Sequence, residues 1–258
     1  MHNRVFGLIG KPVKHSFSEI YFEEKFRKSG LTDCRYKLFE LQSINDLPDL
    51  LKSEPFLEGL NVTSPYKTEI FKFLSSKSVT AQTIGAVNTV KIKDKQLYGY
   101  NTDWKGFIDS LKSKTNITKI HSALILGTGG AAKSTAFALK SNNIKCTFVS
   151  RKTFSPLSFG EFNTKNTLSY KDLNNSENFD CFDLIVNATP CGMQSYPDIA
   201  EINTDKITAK HIVFDLIYNP EKTLLLTKAE KQGAKTINGL EMLHLQAEES
   251  WKIFNGKI

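Results

Sequence analysis

Apolar residues in this chain fall into short runs divided by polar turns, and the runs alternate between strand-like and helix-like spacing. Residues 5–9 (Val-Phe-Gly-Leu-Ile) form an unbroken apolar run, as expected of a buried strand. Residues 18–28 place Ile20, Phe22 and Phe26 at helical intervals and stop before Gly30, a helix-ending residue. Strands are predicted over 36–39 and 57–62, and helices over 44–51 and 68–74, with a turn through Pro65. Residues 87–92 and 96–100 read as a hairpin about Lys93-Asp94-Lys95, followed by a helix over 104–112 and a polar link at 114–119. A second series then begins: strand 122–126, helix 131–141, strand 145–149, short strands at 184–186 and 212–215, and a helix over 224–232 ended by Gly233. Residues 154–180, rich in Ser, Asn and Thr, carry no clear period, and 240–254 predict a long amphipathic helix. Strands and helices in alternation predict an α/β fold with parallel strands and helices on both faces.

The junction between the second series' first strand and helix carries Gly127-Thr128-Gly129-Gly130-Ala131-Ala132. This fits G-x-G-x-x-G/A in the required strand-turn-helix setting: one glycine for the tight turn, one for close approach of a diphosphate, and a small residue for helix-strand packing. Exposed amides and the helix dipole would hold the diphosphate, so Gly127, Thr128, Gly129, Gly130 and Ala131 are candidate cofactor residues. The next strand ends in Ser150-Arg151-Lys152, where an NAD site usually carries an acidic residue. A guanidinium fork suits a 2′-phosphate, which predicts NADP(H). The same stretch, extended to Lys133-Ser134, misses the P-loop pattern by one glycine, at Ala132, and Asp215 could pose as a magnesium ligand in that reading.

Composition narrows the class. The chain has 258 residues, 40% hydrophobic and 11% aromatic, enough for two small domains or one large one. No apolar run approaches the roughly 18 residues of a membrane span, and the opening apolar segment is too short for a signal peptide, which predicts a cytoplasmic protein without a membrane partner. The four cysteines form no C-x-x-C pair and have no nearby histidine cluster, so neither disulfides nor a metal site is expected. The net charge of +7 comes almost wholly from scattered lysines, with arginine only at positions 4, 27, 35 and 151. Scattered charge predicts a solvated surface that attracts anionic small molecules rather than a nucleic-acid partner.

Polar clusters recur at predicted strand ends. In the N-terminal half they are Gly10-Lys11-Pro12-Val13-Lys14-His15-Ser16-Phe17-Ser18, Asn61-Val62-Thr63-Ser64-Pro65-Tyr66-Lys67, Gly85-Ala86-Val87-Asn88-Thr89 and Asn101-Thr102-Asp103. In the C-terminal half they are Asn187-Ala188-Thr189-Pro190, Asp215-Leu216-Ile217-Tyr218-Asn219-Pro220, and residues 238–246 from Asn238-Gly239 to Gln246. In kind, order and spacing this set resembles the shikimate dehydrogenase family from residue 7 to residue 246. The resemblance implies reversible NADPH reduction of 3-dehydroshikimate to shikimate. It also implies a substrate domain over 1–101 completed by 238–258, a Rossmann-type NADP domain over 102–237, and a cleft between them.

Residue by residue, the resemblance makes Lys67 and Asp103 a catalytic pair. An ammonium can stabilise a nascent alkoxide and supply its proton, and a carboxylate can orient that ammonium. It implies Ser16 and Ser18 at the substrate carboxylate with Tyr218 nearby, and Asn61, Thr63, Asn88 and Gln246 at the ring hydroxyls, which need groups that both donate and accept. Thr189, Leu216 and Gly239 join the cofactor set. Singly, each residue has an ordinary explanation: Ser18 or Asp103 as a helix cap, Asn61 and Asn88 as turn residues, Gln246 as a surface residue. Three positions depart from the family pattern: Glu19 in place of a proline, Trp104 in place of a glycine, and Ser155 in place of a second basic residue after Arg151. A quinate/shikimate dehydrogenase with relaxed cofactor use is the alternative, and a P-loop small-molecule kinase a remote one. Partners are small molecules, with the protein a monomer or a homodimer.

Overall fold

A computed structural model describes residues 4–14, 16–151, 157–159, 162–164, 167–175, 177–196, 198 and 200–257. By contacts the chain divides into two compact units, Met1–Thr102 with Ala247–Ile258, and Asp103–Gln246.

The first unit opens with β1 (Arg4–Gly10), α1 (Ser18–Lys28), β2 (Cys34–Glu40), α2 (Leu47–Ser53) and β3 (Leu57–Val62). It continues with β4 (Ser76–Lys77), α3 (Val79–Ile84), β5 (Thr89–Lys93) and β6 (Gln96–Tyr100). The sheet order is β2-β1-β3-β5-β6-β4. β1 runs parallel to β2 and β3, while β5 runs antiparallel to β3 and β6. The sheet is therefore mixed, not parallel throughout, because β5 and β6 form a hairpin whose two turn residues, Asp94 and Lys95, both adopt positive φ (50° and 60°). That turn matches the right-handed twist of the flanking strands.

Both sheet faces are covered, which explains the unbroken apolar run in β1. Val5 and Ile9 enter one core with Leu57, Leu60 and Ile70. Phe6 and Leu8 enter the other with Phe22, Phe26, Ala247 and Phe254. The expected helix over 44–51 is split. A 3-10 turn at Ile44–Asp46 is held by a capping box between Ser43 and Asp46, and α2 restarts with Pro48 in its first turn. The expected helix at 68–74 is a 3-10 segment over Glu69–Phe73.

The second unit contains α4 (Asp103–Lys114), β7 (Ser122–Leu126), α5 (Gly130–Lys140), β8 (Lys145–Ser150), a small antiparallel pair β9 (Leu157–Phe159) and β10 (Phe162–Thr164), β11 (Thr167–Ser169) and α6 (Tyr170–Asn175). β12 (Leu184–Asn187), β13 (Ile212–Asp215), α7 (Leu224–Lys231), β14 (Lys235–Ile237) and α8 (Leu240–Phe254) follow. Its sheet order is β11-β8-β7-β12-β13-β14, every pair parallel. Numbered within the unit this is 3-2-1-4-5-6, the doubly wound dinucleotide-binding order, with its switch point between β7 and β12. Again the central strand alternates between two cores, Ala123 and Ile125 on one face and Leu124 and Leu126 on the other.

The expected domain division put all of 238–258 with the first unit. The contact division instead falls inside α8, between Gln246 and Ala247. Met242 belongs to the second unit's core and Ala247 and Phe254 to the first unit's. Gly106 of α4 allows close passage of α8, since a Cβ there would lie 2.8 Å from Met242 O. Trp104 packs edge-on against Phe137 of α5, with ring centroids 5.4 Å apart, which gives the larger side chain a place in the second unit's core. Among the described residues no helix is long and apolar enough to cross a membrane, and no group of three His, Cys, Asp or Glu could hold a metal ion.

Candidate active site

In the first unit, the candidate residues gather at the C-terminal ends of β1 and β3 and at the start of β5. The turn after β1 lies against the turn after β3: Lys11 N–H donates to Ser64 O at 3.0 Å, and Thr63 N–H to Ile9 O at 2.9 Å. Gly10 permits this, because a Cβ there would sit 2.3 Å from Thr63 Cγ2. Val87 N–H donates to Lys67 O at 2.8 Å, which sets the Lys67 turn beside Asn88.

A chain of hydrogen bonds then runs through the unit. The Ser16 hydroxyl donates to Ser18 Oγ at 3.2 Å, and Ser18 lies beside the Tyr36 hydroxyl. Tyr36 donates to Asn61 Oδ1 at 2.8 Å, and Asn61 Nδ2 donates to Ser250 Oγ at 2.9 Å. Ser250 meets Thr89 Oγ1 at 2.8 Å and Thr102 Oγ1 at 3.2 Å. Asn88 closes the chain, donating from Nδ2 to Thr102 Oγ1 at 2.9 Å while its Oδ1 accepts from Thr102 N–H at 2.7 Å. Asn61 and Asn88 thus belong to one network, and Ser16 and Ser18 form a bonded pair next to it. Burial holds the Tyr36 hydroxyl well above its ordinary pKa, so it stays neutral and donates. Ser18 does not cap α1: the N-cap is Phe17, and no side chain caps the helix. The Asn61 amide protons are engaged by Ser250 and, at 3.3 Å, by Asn88 O. That leaves Asn61 the second lone pair of Oδ1 to offer a ligand.

Ser250 and Tyr36 are not singled out by the sequence, and Thr89 only as the end of the Gly85–Thr89 cluster. A lone serine on an amphipathic helix carries no signal, and only the fold brings it to β3 and β5. Asp103 follows directly on Thr102 and begins α4, and it is buried although charged. Tyr218 lies half-buried in the turn after β13, and Gln246 half-buried on α8 donates to Leu243 O at 2.9 Å.

In the second unit the cofactor candidates line the C-terminal ends of the parallel strands, where such sheets bind ligands. Gly127 follows β7 with φ +99°, and a Cβ there would come within 3.0 Å of Thr189 Cγ2. Thr128 is half-buried, Gly129 is the N-cap of α5, and Gly130 and Ala131 open the helix. The space over Gly129 is open: an added Cβ would meet nothing within 4 Å. First-turn amides of a helix lack partners within it, so this open N-terminus suits a diphosphate. Ala132 is fully buried, as close helix-strand packing requires. Ser150 ends β8, and Arg151 behind it is exposed; Lys152 and Ser155 lie outside the described residues.

Thr189 sits in an Asx turn after β12, with its N–H and hydroxyl both donating to Asn187 Oδ1 at 3.1 and 2.6 Å. Leu216 follows β13, and Gly239 presses against it so closely that a Cβ would lie 2.1 Å from Leu216 O. The P-loop alternative fails here. Lys133 and Ser134 are already inside the helix, and Ser134 is fully buried with its hydroxyl donating to Gly130 O at 3.0 Å, which leaves no face for magnesium.

The family model for the shikimate dehydrogenase substrate binding domain matches residues 8–90. The shikimate dehydrogenase (NADP(+)) of Methanosphaera stadtmanae is 38% identical over 260 residues, covering 97% of this chain and 91% of that protein. The chain belongs to the shikimate dehydrogenase family. A solved shikimate 5-dehydrogenase from Thermus thermophilus, in complex with NADP(H) and shikimate, superposes with a TM-score of 0.83 at 29% identity over 98% of this chain and 94% of that one. A quinate dehydrogenase from Corynebacterium glutamicum in complex with NAD gives 0.84 at 28% identity over 98% and 94%. The same fold thus holds NADP(H) and shikimate in one of these proteins and NAD in the other.

Proposed function

We infer that this chain catalyses the reversible NADPH-dependent reduction of 3-dehydroshikimate to shikimate, a step of aromatic amino-acid biosynthesis, with Lys67 and Asp103 as its catalytic pair. The observation that carries the reading is the full-length family match together with a hydrogen-bonded row of substrate candidates in one unit and a dinucleotide-binding sheet in the other. In this reading the first unit, completed by the C-terminal helix, binds the ring acid, and the second binds NADP.

Ser16 and Ser18 receive the substrate carboxylate, with Tyr218 beside them. Thr63, Asn88 and Gln246, with the free lone pair of Asn61, receive the ring oxygens, and an analogue that leaves them unpaired is rejected. Bound NADPH supplies the hydride. The Lys67 ammonium donates a hydrogen bond to the ketone oxygen, stabilises the charge that develops there, and gives it a proton. Asp103 holds that ammonium in line and accepts from the neighbouring hydroxyl. In the oxidative direction neutral Lys67 takes the proton back. On the cofactor side, Gly127 to Ala131 hold the diphosphate, Ser150, Arg151 and Lys152 the 2′-phosphate, and Thr189, Leu216 and Gly239 frame the rest. The protein acts on small molecules in the cytoplasm as a monomer or a homodimer.

The test follows NADPH absorbance with shikimate and quinate against NADP and NAD in every combination. Shikimate with NADP should turn over fastest, and absence of that turnover refutes the assignment. Equal use of quinate and of NAD would favour the relaxed quinate/shikimate enzyme. Lys67→Ala should abolish turnover while calorimetry still detects shikimate binding, and Asp103→Asn should lower turnover by orders of magnitude.

A further inference from the structure

The second unit buries a carboxylate that this reaction does not use. Asp215 ends β13, is fully buried, and is the register partner of Asn187 at the end of β12. Its Oδ1 accepts from Asn187 Nδ2 at 2.9 Å and from Ile217 N–H at 3.1 Å, and its Oδ2 from the Thr223 hydroxyl at 2.6 Å. All three partners are uncharged. The ionisable side chains on the surrounding turns are Cys191, Tyr218, Glu221 and Lys222, and the Asp215 hydrogen bonds described are the three to Asn187, Ile217 and Thr223.

Through those three bonds the carboxylate ties together separate pieces of chain. Asn187 organises the turn after β12, accepting from Thr189 and donating to Cys191 O at 3.0 Å. Ile217 belongs to the turn after β13 that carries Leu216. Thr223 is the N-cap of α7, where its hydroxyl oxygen also accepts from Leu226 N–H at 3.3 Å. The pieces fit without slack: Gly192, at φ +111°, lies against Ile217 and Thr223, and Gly239 lies against Leu216. A protonated acid cannot serve all three donors, because Oδ2 would then present a hydrogen to the Thr223 hydroxyl, which must turn away.

We propose that Asp215 is a positioning residue for cofactor binding: as a carboxylate it fixes the turns that carry Thr189 and Leu216, and NADP affinity depends on that ionised form. The proposal rests on the assignment of those two residues to the NADP site. Burial raises the Asp215 pKa from 3.8 to about 6 against the lowering effect of its three hydrogen bonds, so the change of form falls inside an assayable range.

The experiment compares the full-length wild type with Asp215→Asn. Kinetics give the Michaelis constants of both substrates, calorimetry gives NADP binding directly, and thermal unfolding gives stability. We expect the NADP Michaelis and dissociation constants to rise about tenfold, the shikimate constant to stay within about twofold, and the melting temperature to hold or rise. A purely structural carboxylate would instead lower the melting temperature. Wild-type NADP affinity should fall as pH drops below about 6 more steeply than that of Asp215→Asn. The 2′-phosphate titrates in the same range but does so in both proteins, so the difference belongs to Asp215. If Asp215→Asn does not fold, Thr223→Val should weaken NADP binding and Thr223→Ser should restore it. Unchanged NADP constants and parallel pH profiles overturn the proposal. Wild type that binds NADP without oxidising shikimate would refute the assigned reaction and leave the binding comparison decisive for Asp215.

Discussion

Replacing Ser250 by Ala removes one hydroxyl from the middle of the first unit's hydrogen-bond chain. Ser250 is fully buried and meets Asn61 at 2.9 Å, Thr89 at 2.8 Å and Thr102 at 3.2 Å. Thr89 and Thr102 retain Asn88 as a partner, at 3.2 and 2.9 Å. Asn61 Nδ2 retains only longer contacts, to Asn88 O at 3.3 Å and Thr89 Oγ1 at 3.4 Å. A buried donor left without a partner costs about 1–3 kcal/mol, and these residual contacts place the loss near about 1–2 kcal/mol. Either the unit absorbs it as lost stability, or the Asn61 amide turns and disturbs the lone pair offered to the substrate. We therefore expect Ser250→Ala to raise the shikimate Michaelis constant by up to about tenfold and to lower the urea midpoint, with the NADP constant within about twofold. Steady-state kinetics with each substrate varied in turn, together with urea unfolding, measure both effects. Equal rises in both constants would show that the network is not confined to substrate binding. No change in any quantity would refute the idea that Ser250 supports Asn61.

Three further outcomes follow from the second unit. Arg151→Ala should raise the Michaelis constant for NADPH far more than that for NADH, and equal losses with both cofactors would refute the 2′-phosphate role. Gly239→Ala forces a Cβ to within 2.1 Å of Leu216 O, a backbone atom that cannot swing aside. It should destabilise the protein by about 1–3 kcal/mol and weaken NADP binding, and wild-type calorimetry and melting would refute this. Asp215 also makes stability pH-dependent: between about pH 4 and 6 the folded chain keeps a proton that the unfolded chain has released, so this group's contribution falls as pH rises. A rise from 3.8 to about 6 corresponds to about 3 kcal/mol in full. The urea stability of Asp215→Asn relative to wild type should therefore grow across that window, and a constant difference would contradict it.

Elements long enough to show a period were legible in the sequence. The strands Leu57–Val62 and Ser122–Leu126 and the helix Leu240–Phe254 have the expected bounds, and the glycine turn stands between strand and helix as its spacing implies. Of the short elements, the strands Leu184–Asn187 and Ile212–Asp215 were legible as apolar runs, while others were not. The helix Val79–Ile84, capped by Ser78 and ended by Gly85 at φ +69°, is too brief to display a stripe, and β14 has only three residues. The break before α2 turns on a local capping box inside what reads as one helical run. The division inside α8 leaves no mark, because an amphipathic stripe continues unchanged while the core beneath it changes. The sequence marks a candidate site residue where a residue type and its neighbours form a motif, as at Gly127 or Arg151. Ser250 and Tyr36 act through partners far away in the sequence, so no local pattern announces them. In the sequence Asp215 stands out as the head of the Asp215–Pro220 cluster and as a possible metal ligand, and its three neutral hydrogen-bond partners give it another part.

The shared helix α8 bears on how the protein is born. Everything in the second unit is contiguous, whereas the first unit needs a segment translated after the whole second unit. On the ribosome the Rossmann sheet can close as soon as it emerges. The N-terminal sheet, made earliest, waits with Phe6 lacking Trp251 and Phe254 and with Asn61 lacking Ser250 until the final turns of α8 arrive. The lobe synthesised first is thereby the lobe finished last.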